Sequence, residues 1–440
     1  AVQAMHDSGV RVKIYMTTKE LSARAVELPI FRELGTEIIP NPTAQLSSKG
    51  SVYLQERLSS YAAAWCTHSV IGASTSDEHY QDQAVIVNGA SRWCNFYVAG
   101  VEFLLRHARL DGIYLDGIRF PRVISQRLRR IFDAEAHHRR AEFAATGSNR
   151  VGGASSRPPL LDLHAGPNLR SFIEHTPYLD SLWIGENILW QEGTPDYWLV
   201  AISGLPFGLF ADMLGPAKSH ADGLRGMVFC MLTRSGWEGS APKHNHRMWQ
   251  LWDAFGIDQA ELIGWWDISS PVLVQGMALP PAGSHLPQPA VVASVYRRPG
   301  HSALIAVGSW LVNRFNGALT IDWAALGLGE FSNCTLRTFA TGWLAGNNAP
   351  PAKPIDTRGT GTLPLQLSAR SGVMLWVQCG ASNGPFALPP KWQGTAGMRQ
   401  LEPGTRERAR MLSRNRHVFG RGRTDFGGRR GATSSHRLHG

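Results

Sequence analysis

The sequence has little cysteine and none of the common metal-binding or nucleotide-binding motifs. Its five cysteines are scattered over 440 residues with no CxxC and no short Cys/His spacing. That pattern excludes a cysteine metal site and a dense disulfide framework, and it leaves a single bridge or free buried thiols as alternatives. No GxGxxG follows the first predicted strand, and neither GxxxxGKS nor GxxxxGKT occurs, so the nucleotide-binding folds lose their best support. We therefore expect no metal and no cofactor.

Long apolar runs are also missing. None reaches about 18 residues, so the sequence predicts no transmembrane helix and no membrane partner. The chain opens at Ala1 without Met or a signal peptide, in a stretch typical of the end of a helix followed by a strand. We expect a truncated N-terminus on these grounds. The compartment is left open, with secretion or an endomembrane lumen among the alternatives.

Most of the net positive charge lies at one end of the chain. The formal net charge is +10, but residues 398–440 contain eleven Arg, no Lys and three acidic residues, a net of +8. Residues 1–397 are therefore close to neutral. The tail segment RGRTDFGGRRG resembles RGG-type segments, in which Arg, Gly and an aromatic residue contact RNA. RNA binding through the tail is thus one alternative, although Arg-rich and Gly-rich termini are more often disordered extensions. The sequence does not favour nucleic acid as the partner.

Residues 1–270 are predicted to form a (β/α)₈ TIM barrel. Short β-branched or aromatic runs alternate there with amphipathic stretches, which is the pattern of a parallel sheet. Seven or eight strands over about 260 residues favour a barrel over an open doubly wound sheet. The strand candidates are RVKIYM (11–16), AVIVNG (84–89), DGIYLDG (111–117), PLLDLHAG (159–166), SLWIGEN (181–187), LPFGLFA (205–211) and GMVFCML (226–232).

The pattern changes after residue 270. Residues 271–290 are rich in Pro and Gly and are predicted to be a linker. Residues 291–379 contain six short apolar runs with partial alternation and turn residues between them, which predicts an antiparallel β-sandwich domain. Residues 380–440 are rich in Gly, Arg and Ser and are predicted to be disordered.

Two carboxyl groups end predicted barrel strands, at the edge where the active sites of parallel barrels lie. Asp116 ends DGIYLDG, and Glu186 ends SLWIGEN two βα units later. We predict that both project into one barrel mouth, separated by a single strand. Glycoside hydrolysis requires such a pair. One carboxylate attacks the anomeric carbon or activates water, and one carboxylic acid protonates the leaving oxygen.

The roles of the pair follow from their neighbours. The short side chain of Asp116, followed by Gly117, suits close approach to a sugar, so we assign Asp116 as the carboxylate. Trp183 and Ile184 would favour the protonated form of Glu186 by desolvation, so we assign Glu186 as the acid. The reverse assignment is open. So are structural roles, in which either carboxyl group caps a helix or pairs with an Arg.

Eight further residues are predicted to contact the substrate. His164 ends PLLDLHAG, where it would bind a sugar hydroxyl or hold Asp116. The motif GWWD (264–267) would supply a stacking platform beside a carboxylate, and packing between barrel and sandwich is its alternative. The full predicted set is Tyr15, Trp93, His164, Trp183, Arg234, Trp265, Trp266 and Asp267.

Several long motifs resemble a known family. They are GVRVKIYMTTKELS, SRWCNFYVAGVEFLL, DGIYLDGIRF, HTPYLDSLWIGEN, PDYWLVAISGLPFGL, GMVFCMLTRSGW and LWDAFGIDQAELIGWWD. Over residues 8–378 the chain is similar to glycoside hydrolase family 123-like proteins. The resemblance implies a barrel followed by a C-terminal β-sandwich. It also implies action on N-acetylgalactosaminides through a neighbouring Asp-Glu pair, whereas the single Asp-Glu of this sequence, Asp77-Glu78, lies in a predicted loop.

Together these observations predict a glycosidase that cleaves O-glycosidic bonds of a polysaccharide or glycoconjugate. A non-catalytic carbohydrate-binding barrel is the main alternative, since it would keep the aromatic residues of the mouth without a matched pair of acids. RNA binding through the tail is the other.

Overall fold

The computed structural model describes most of the chain up to residue 380. The described residues are 1–18, 20–22, 25–35, 37–39, 82–87, 91–116, 118, 120–146, 150–151, 154–155, 157–165, 170–184, 190, 193–213, 220–233, 242–276, 290–331 and 333–380. The predicted tail (380–440) therefore lies almost wholly outside the described residues, as does most of the predicted linker.

The first ten described strands belong to the N-terminal half of the chain. They are β1 (Lys13–Thr17), β2 (Glu20–Ser22), β3 (Asp82–Ala84), β4 (Gly112–Asp116), β5 (Arg150–Val151), β6 (Ala154–Ser155), β7 (Leu160–His164), β8 (Ser181–Ile184), β9 (Phe210–Met213) and β10 (Leu232–Thr233). Six of them form one parallel sheet in the order β1-β4-β7-β8-β9-β10. Each strand lies beside the one before it, with no reversal of order, so the sheet is singly wound like a TIM barrel.

Helical segments connect these strands. The α-helices among the described residues are α1 (Val2–Asp7), α2 (Leu28–Glu33), α3 (Arg92–His107), α4 (Arg122–Thr146), α5 (Pro195–Tyr197), α6 (His220–Gly226), α7 (Pro242–Phe255) and α8 (Thr341–Leu344). Helix α3 begins where the Ser91 hydroxyl accepts a hydrogen bond from the Trp93 N–H, which caps an otherwise unpaired donor. In the described part of the chain, no helix has the length and apolar character needed to cross a membrane.

The barrel strands have an apolar outer face and a polar inner face. On the outer face, Leu182 lies against Gly204 and Met213 against Gly226 of α6, both in the helical layer. The alternate residues therefore point into the barrel, among them Tyr114 and Trp183, whose rings touch. Burying each large outward side chain contributes about 1.5–3 kcal/mol. The fully buried ones are Ile113, Leu115, Leu161, Leu163, Leu182 and Ile184.

Three predicted barrel strands take other forms in whole or in part. In LPFGLFA, Leu205–Phe207 is a 3₁₀ turn and the strand begins only at Phe210. At the AVIVNG stretch, β3 pairs antiparallel with β2, and the Ile86 N–H donates to the Ile38 carbonyl, so its described part lies outside the barrel sheet. In GMVFCML, Met227–Phe229 is a 3₁₀ turn and the strand begins only at Leu232. The apolar residues of this turn are fully buried because the sandwich covers them, as described below.

A buried charged cluster holds the first two barrel strands together at their N-terminal ends. The Asp111 carboxylate accepts hydrogen bonds from the Val12 N–H (2.8 Å) and from His6 Nε2 (2.7 Å). The Arg139 guanidinium lies 3.4 Å from Asp111 and 2.8 Å from Glu135. Because these groups are almost fully buried, each needs its partners to offset the cost of leaving water. The cluster therefore fixes the register of β1 against β4.

An antiparallel β-sandwich follows the barrel. One sheet has the strand order β11-β13-β14-β19-β16-β17 and the other β12-β15-β18. Their inner faces share one apolar core, with Trp323, Leu319 and Ile305 fully buried. The strands are β11 (Glu261–Ile263), β12 (Val272–Gln275), β13 (Val291–Arg298), β14 (Ser302–Ser309), β15 (Phe315–Asp322), β16 (Cys334–Phe339), β17 (Lys353–Ile355), β18 (Thr360–Leu367) and β19 (Gly372–Cys379).

The predicted fold class, a TIM barrel followed by a β-sandwich, is confirmed. The sandwich extends further toward the N-terminus than its predicted range of 291–379, since β11 lies in the predicted barrel range (1–270) and β12 in the predicted linker (271–290). Strand β11 pairs with β13, and β12 pairs with β15. Both strands are short, and their sequences give no run long enough to distinguish them from the preceding barrel residues.

Barrel and sandwich meet in a joint of aromatic rings around one buried cation, which we call the Arg225 joint. The Arg225 guanidinium lies 4.9 Å from the Trp198 ring centre and 5.2 Å from that of Trp310. It donates to the Trp190 carbonyl and to the Asp222 carboxylate. Trp310 follows β14 of the sandwich, whereas the other three residues belong to the barrel. A single side chain of α6 therefore links the two domains.

One disulfide closes a ring within the sandwich. Cys334 on β16 lies directly opposite Cys379 on β19, with their Cα atoms 4.1 Å apart, and the two sulfurs are bonded. Of the alternatives that the sequence left open, the described part of the chain therefore has one bridge, while Cys94 and Cys230 are not disulfide-bonded.

Removing this bridge is expected to destabilise the sandwich. The two cysteines are 45 residues apart in the chain. Closing a loop of that length lowers the entropy of the unfolded state and so raises the free energy of unfolding by up to about 4 kcal/mol. The Cys334→Ala/Cys379→Ala variant should therefore unfold at lower urea concentration than the wild type. Dithiothreitol should lower the wild-type midpoint but leave that of the variant unchanged. A wild-type midpoint that is insensitive to dithiothreitol would contradict the bridge.

Candidate active site

Asp116 is the last residue of β4 and lies at the carboxyl edge of the parallel sheet. The strand is positioned closely against β7, since a side chain at Gly112 would meet the Leu160 carbonyl oxygen at 2.4 Å. Asp116 is in register with Thr17 of β1 on one side and with His164 of β7 on the other. Its side chain is 23% exposed. It is thus anchored on a rigid strand and remains accessible from the mouth of the barrel.

Both oxygens of this carboxylate are engaged by neighbouring strands. Asp116 Oδ1 lies 2.8 Å from His164 Nδ1, and Asp116 Oδ2 accepts a hydrogen bond from the Tyr15 hydroxyl. An ionised carboxylate can only accept, so the Nδ1 atom of His164 is the donor. Two donors favour the charged form of Asp116 and fix its orientation. We call Tyr15, Asp116 and His164 the carboxylate triad.

An aromatic wall lies beside the carboxylate triad. The Tyr114 and Trp183 ring centres are 3.7 Å apart, and Tyr114 also stacks at 6.3 Å on His164. Tyr15 is 5.6 Å from Tyr114 on the other side. Aromatic faces next to a carboxylate suit the apolar faces and hydroxyl edges of a sugar ring.

Beneath this wall the barrel interior is polar. Lys13 pairs with Asp162, whose other oxygen accepts a hydrogen bond from the Ser181 hydroxyl at 2.6 Å. Asp162 is fully buried. A cavity of about 620 Å³ extends along this inner face, and its lining comprises Arg11, Lys13, Ile14, Tyr15, Asp111, Tyr114, Leu160 and Trp183. It lies one layer below Asp116 and shares Tyr15, Tyr114 and Trp183 with the mouth.

The structure brings four predicted site residues together and places the six others elsewhere or outside its described part. Tyr15, Asp116, His164 and Trp183 are neighbours at the mouth. Two predicted residues, Glu186 and Arg234, lie outside the described residues. Their roles stay predictions.

Trp93 does not line the mouth. It is 4% exposed, and its indole N–H donates to the Thr18 carbonyl at 3.0 Å. Its ring packs among Phe31, Phe96 and Tyr97. This corrects the predicted position, because a tryptophan in the first turn of a helix that covers the sheet is drawn into the core between them.

The GWWD motif lies in the turn between sandwich strands β11 and β12. Trp266 stacks on Phe229, which precedes β10 and so lies at the N-terminal end of that barrel strand. The Trp265 N–H donates to Ser294 of β13. The Asp267 carboxylate accepts from the N–H and the hydroxyl of Ser269, which lower its pKa. The motif therefore packs between barrel and sandwich, the alternative given above, at the end opposite the mouth.

Several inward-facing residues were not predicted from the sequence. Among them are Tyr114 and Asp162, which are in register with each other on β4 and β7. Asp212 on β9 is in register with the inward-facing Trp183 on β8. The period of two along a strand would have identified them once the inward face had been assigned.

Oxygen and nitrogen donors at the mouth do not form a metal site in the part that is described. Among those residues, no group of three or more His, Cys, Asp or Glu side chains could hold an ion. The chemistry derived below uses the side chains of the chain itself.

Carbohydrate-active enzymes are among the barrel enzymes that have a hydrogen-bonded carboxylate and aromatic side chains at the carboxyl edge of the sheet. The sequence matches the family model for the glycoside hydrolase 123 TIM-barrel domain over residues 1–236. It also matches the model for the glycoside hydrolase 123 C-terminal domain over residues 244–337. The chain therefore belongs to glycoside hydrolase family 123, and it is a glycosidase with a carbohydrate substrate.

Solved structures of other glycosidases show a distant similarity. A family 27 β-L-arabinopyranosidase from Geobacillus stearothermophilus is 9% identical over 86% of this chain and 77% of that chain, with a TM-score of 0.36. A maltogenic α-amylase from Thermotoga neapolitana is 9% identical over 86% and 80%, with a TM-score of 0.43. At TM-scores below 0.5 these similarities say nothing about the reaction. No protein of curated function matches the sequence.

Proposed function

We propose that this glycosidase cleaves O-glycosidic bonds of a polysaccharide or glycoconjugate with Asp116 as its working carboxylate. The observation that carries the proposal is the carboxylate triad. A carboxylate held at both oxygens by Tyr15 and His164, partly exposed at the barrel mouth, is oriented before substrate arrives. The Tyr15 and His164 side chains act here as positioning residues, since they touch Asp116.

The reaction requires a negative charge near the anomeric carbon as the bond to the leaving oxygen breaks. The Asp116 carboxylate either attacks that carbon or takes a proton from the water that does. In both cases a second carboxyl group must give a proton to the leaving oxygen. The predicted acid is Glu186, which follows β8 two residues after Ile184. Trp183, at the end of the same strand, would offer one face of the sugar an apolar surface.

The test is hydrolysis of aryl galactosides, glucosides and N-acetylhexosaminides, each with a 4-nitrophenyl and a 2,4-dinitrophenyl leaving group. We expect one sugar class to be cleaved. The Glu186→Gln variant should lose about 10²- to 10⁴-fold in kcat/KM on the 4-nitrophenyl glycoside. It should lose far less on the dinitrophenyl glycoside, whose leaving group departs without a proton.

Two results would contradict this proposal. Equal losses on both leaving groups would show that Glu186 is not the acid. If no glycoside is cleaved while the free sugars still change the tryptophan fluorescence, the barrel is a carbohydrate-binding protein without catalysis.

A further inference from the structure

Asp212 lies on the same layer of the barrel as the carboxylate triad. It is in register with Trp183, which is in register with His164, which is in register with Asp116. These four residues come from four consecutive strands and form one row along the carboxyl edge. Asp212 was not predicted from the sequence, and the triad does not include it.

The side chain of Asp212 points into the barrel. Its neighbours on β9, Ala211 and Met213, are buried, and Met213 lies against Gly226 of the helical layer. Because successive side chains of a strand alternate between faces, Asp212 points the opposite way, toward the inner face. Its partial exposure agrees with a position at the mouth.

Along this row Asp212 is closer to Trp183 than to Asp116. Neighbouring strands lie about 4.8 Å apart, so three strand steps place the two Cα atoms about 14 Å apart along the wall. Trp183 lies between them in the row, so Asp212 is one step, about 4.8 Å, from an aromatic side chain that could stack on a sugar.

We infer that Asp212 binds the hydroxyl groups of the sugar that stacks on Trp183, and so determines which sugar is accepted. A carboxylate accepts two hydrogen bonds from vicinal hydroxyls and does so only when their stereochemistry lets both reach it. This inference rests on the proposed function, because it assumes that the mouth around Asp116 receives the sugar.

The experiment compares Asp212→Asn with the wild type on the cleaved aryl glycoside, with both leaving groups. We expect kcat/KM to fall about 10- to 100-fold, the loss of one or two hydrogen bonds to a charged acceptor. The fall should be the same for the 4-nitrophenyl and the 2,4-dinitrophenyl glycoside, in contrast to Glu186→Gln. The matched control is Asp258→Asn, an exposed change in the turn after α7 that should leave kcat/KM unchanged.

A second measurement does not depend on turnover. Titration of D-galactose, D-glucose and N-acetyl-D-galactosamine, followed by tryptophan fluorescence, should show weaker binding of the preferred sugar to Asp212→Asn. If the protein cleaves no glycoside but this loss of binding is seen, the role of Asp212 holds and the proposed function fails. A loss of kcat/KM confined to the 4-nitrophenyl glycoside would make Asp212 the acid and overturn the inference. So would unchanged kinetics and binding.

Discussion

Asp116→Asn is expected to lower kcat/KM by about 10³-fold or more on any glycoside that the protein cleaves. The substitution keeps the size of the side chain but removes its charge, and an amide neither attacks the anomeric carbon nor takes a proton from water. The Asn side chain can still accept from the Tyr15 hydroxyl, so the loss should fall mainly on kcat. Steady-state kinetics on the aryl glycosides measure it.

Two further variants separate the carboxylate from the residues that hold it. Tyr15→Phe and His164→Leu each remove one donor to Asp116 and should lower kcat far less than Asp116→Asn does, because the carboxylate is retained and loses only one of the two hydrogen bonds that orient it. The matched control for Asp116→Asn is Asp258→Asn, because Asp258 is an exposed aspartate in the turn after α7. If Asp116→Asn retains wild-type activity, another carboxylate does the chemistry.

Arg225→Met should be the most destabilising single substitution among those considered, by about 3–5 kcal/mol. The variant fills a similar volume but removes the positive charge from the Arg225 joint. Asp222 then remains as a buried carboxylate without its partner. Burial already raises the pKa of Asp222 above its usual range and lowers the pKa of Arg225, so both charges depend on each other. Urea-induced unfolding followed by tryptophan fluorescence measures the loss.

The Asp222→Asn/Arg225→Met double variant tests the cause. It leaves no unpaired charge, so it should be clearly more stable than the sum of the two single losses predicts. The control is Arg130→Met on the exposed face of α4, which should change stability by about 0.5 kcal/mol or less. Additive losses in the double variant would show that the charge pair is not what holds the joint.

The fold class could be predicted from the sequence because strands and helices alternate up to the sandwich and then give way to strands alone. Individual strands were harder. The run GMVFCML is as apolar as a strand, yet Met227, Val228 and Phe229 are buried in a turn that the sandwich covers. An apolar run indicates that its residues are buried, but it does not show whether they are buried in a strand or in a turn. The short strand β11 gave no signal, because its pairing with β13 is a long-range contact.

The candidate site could be predicted only where its residues lie at the carboxyl ends of predicted barrel strands. That rule gave Asp116 and His164, which the structure places side by side, and Glu186 and Arg234, which lie outside the described residues. Aromatic content alone misled, since Trp93 and Trp266 owe their positions to packing against Phe31 and Phe229. The contact between Tyr15 and Asp116 could not be derived from the sequence, because it depends on β1 pairing directly with β4 across about 100 residues of chain.

The bond between Cys334 and Cys379 makes a covalent circle of the chain that contains β17 and β18. The stretch 345–349 and the following residues 351–354 within this circle are exposed. A protease that cuts once there opens the circle but does not separate the chain into two molecules. The nicked protein would keep its full mass on a denaturing gel until a reductant is added, and β18 would remain tethered beside its partner β15.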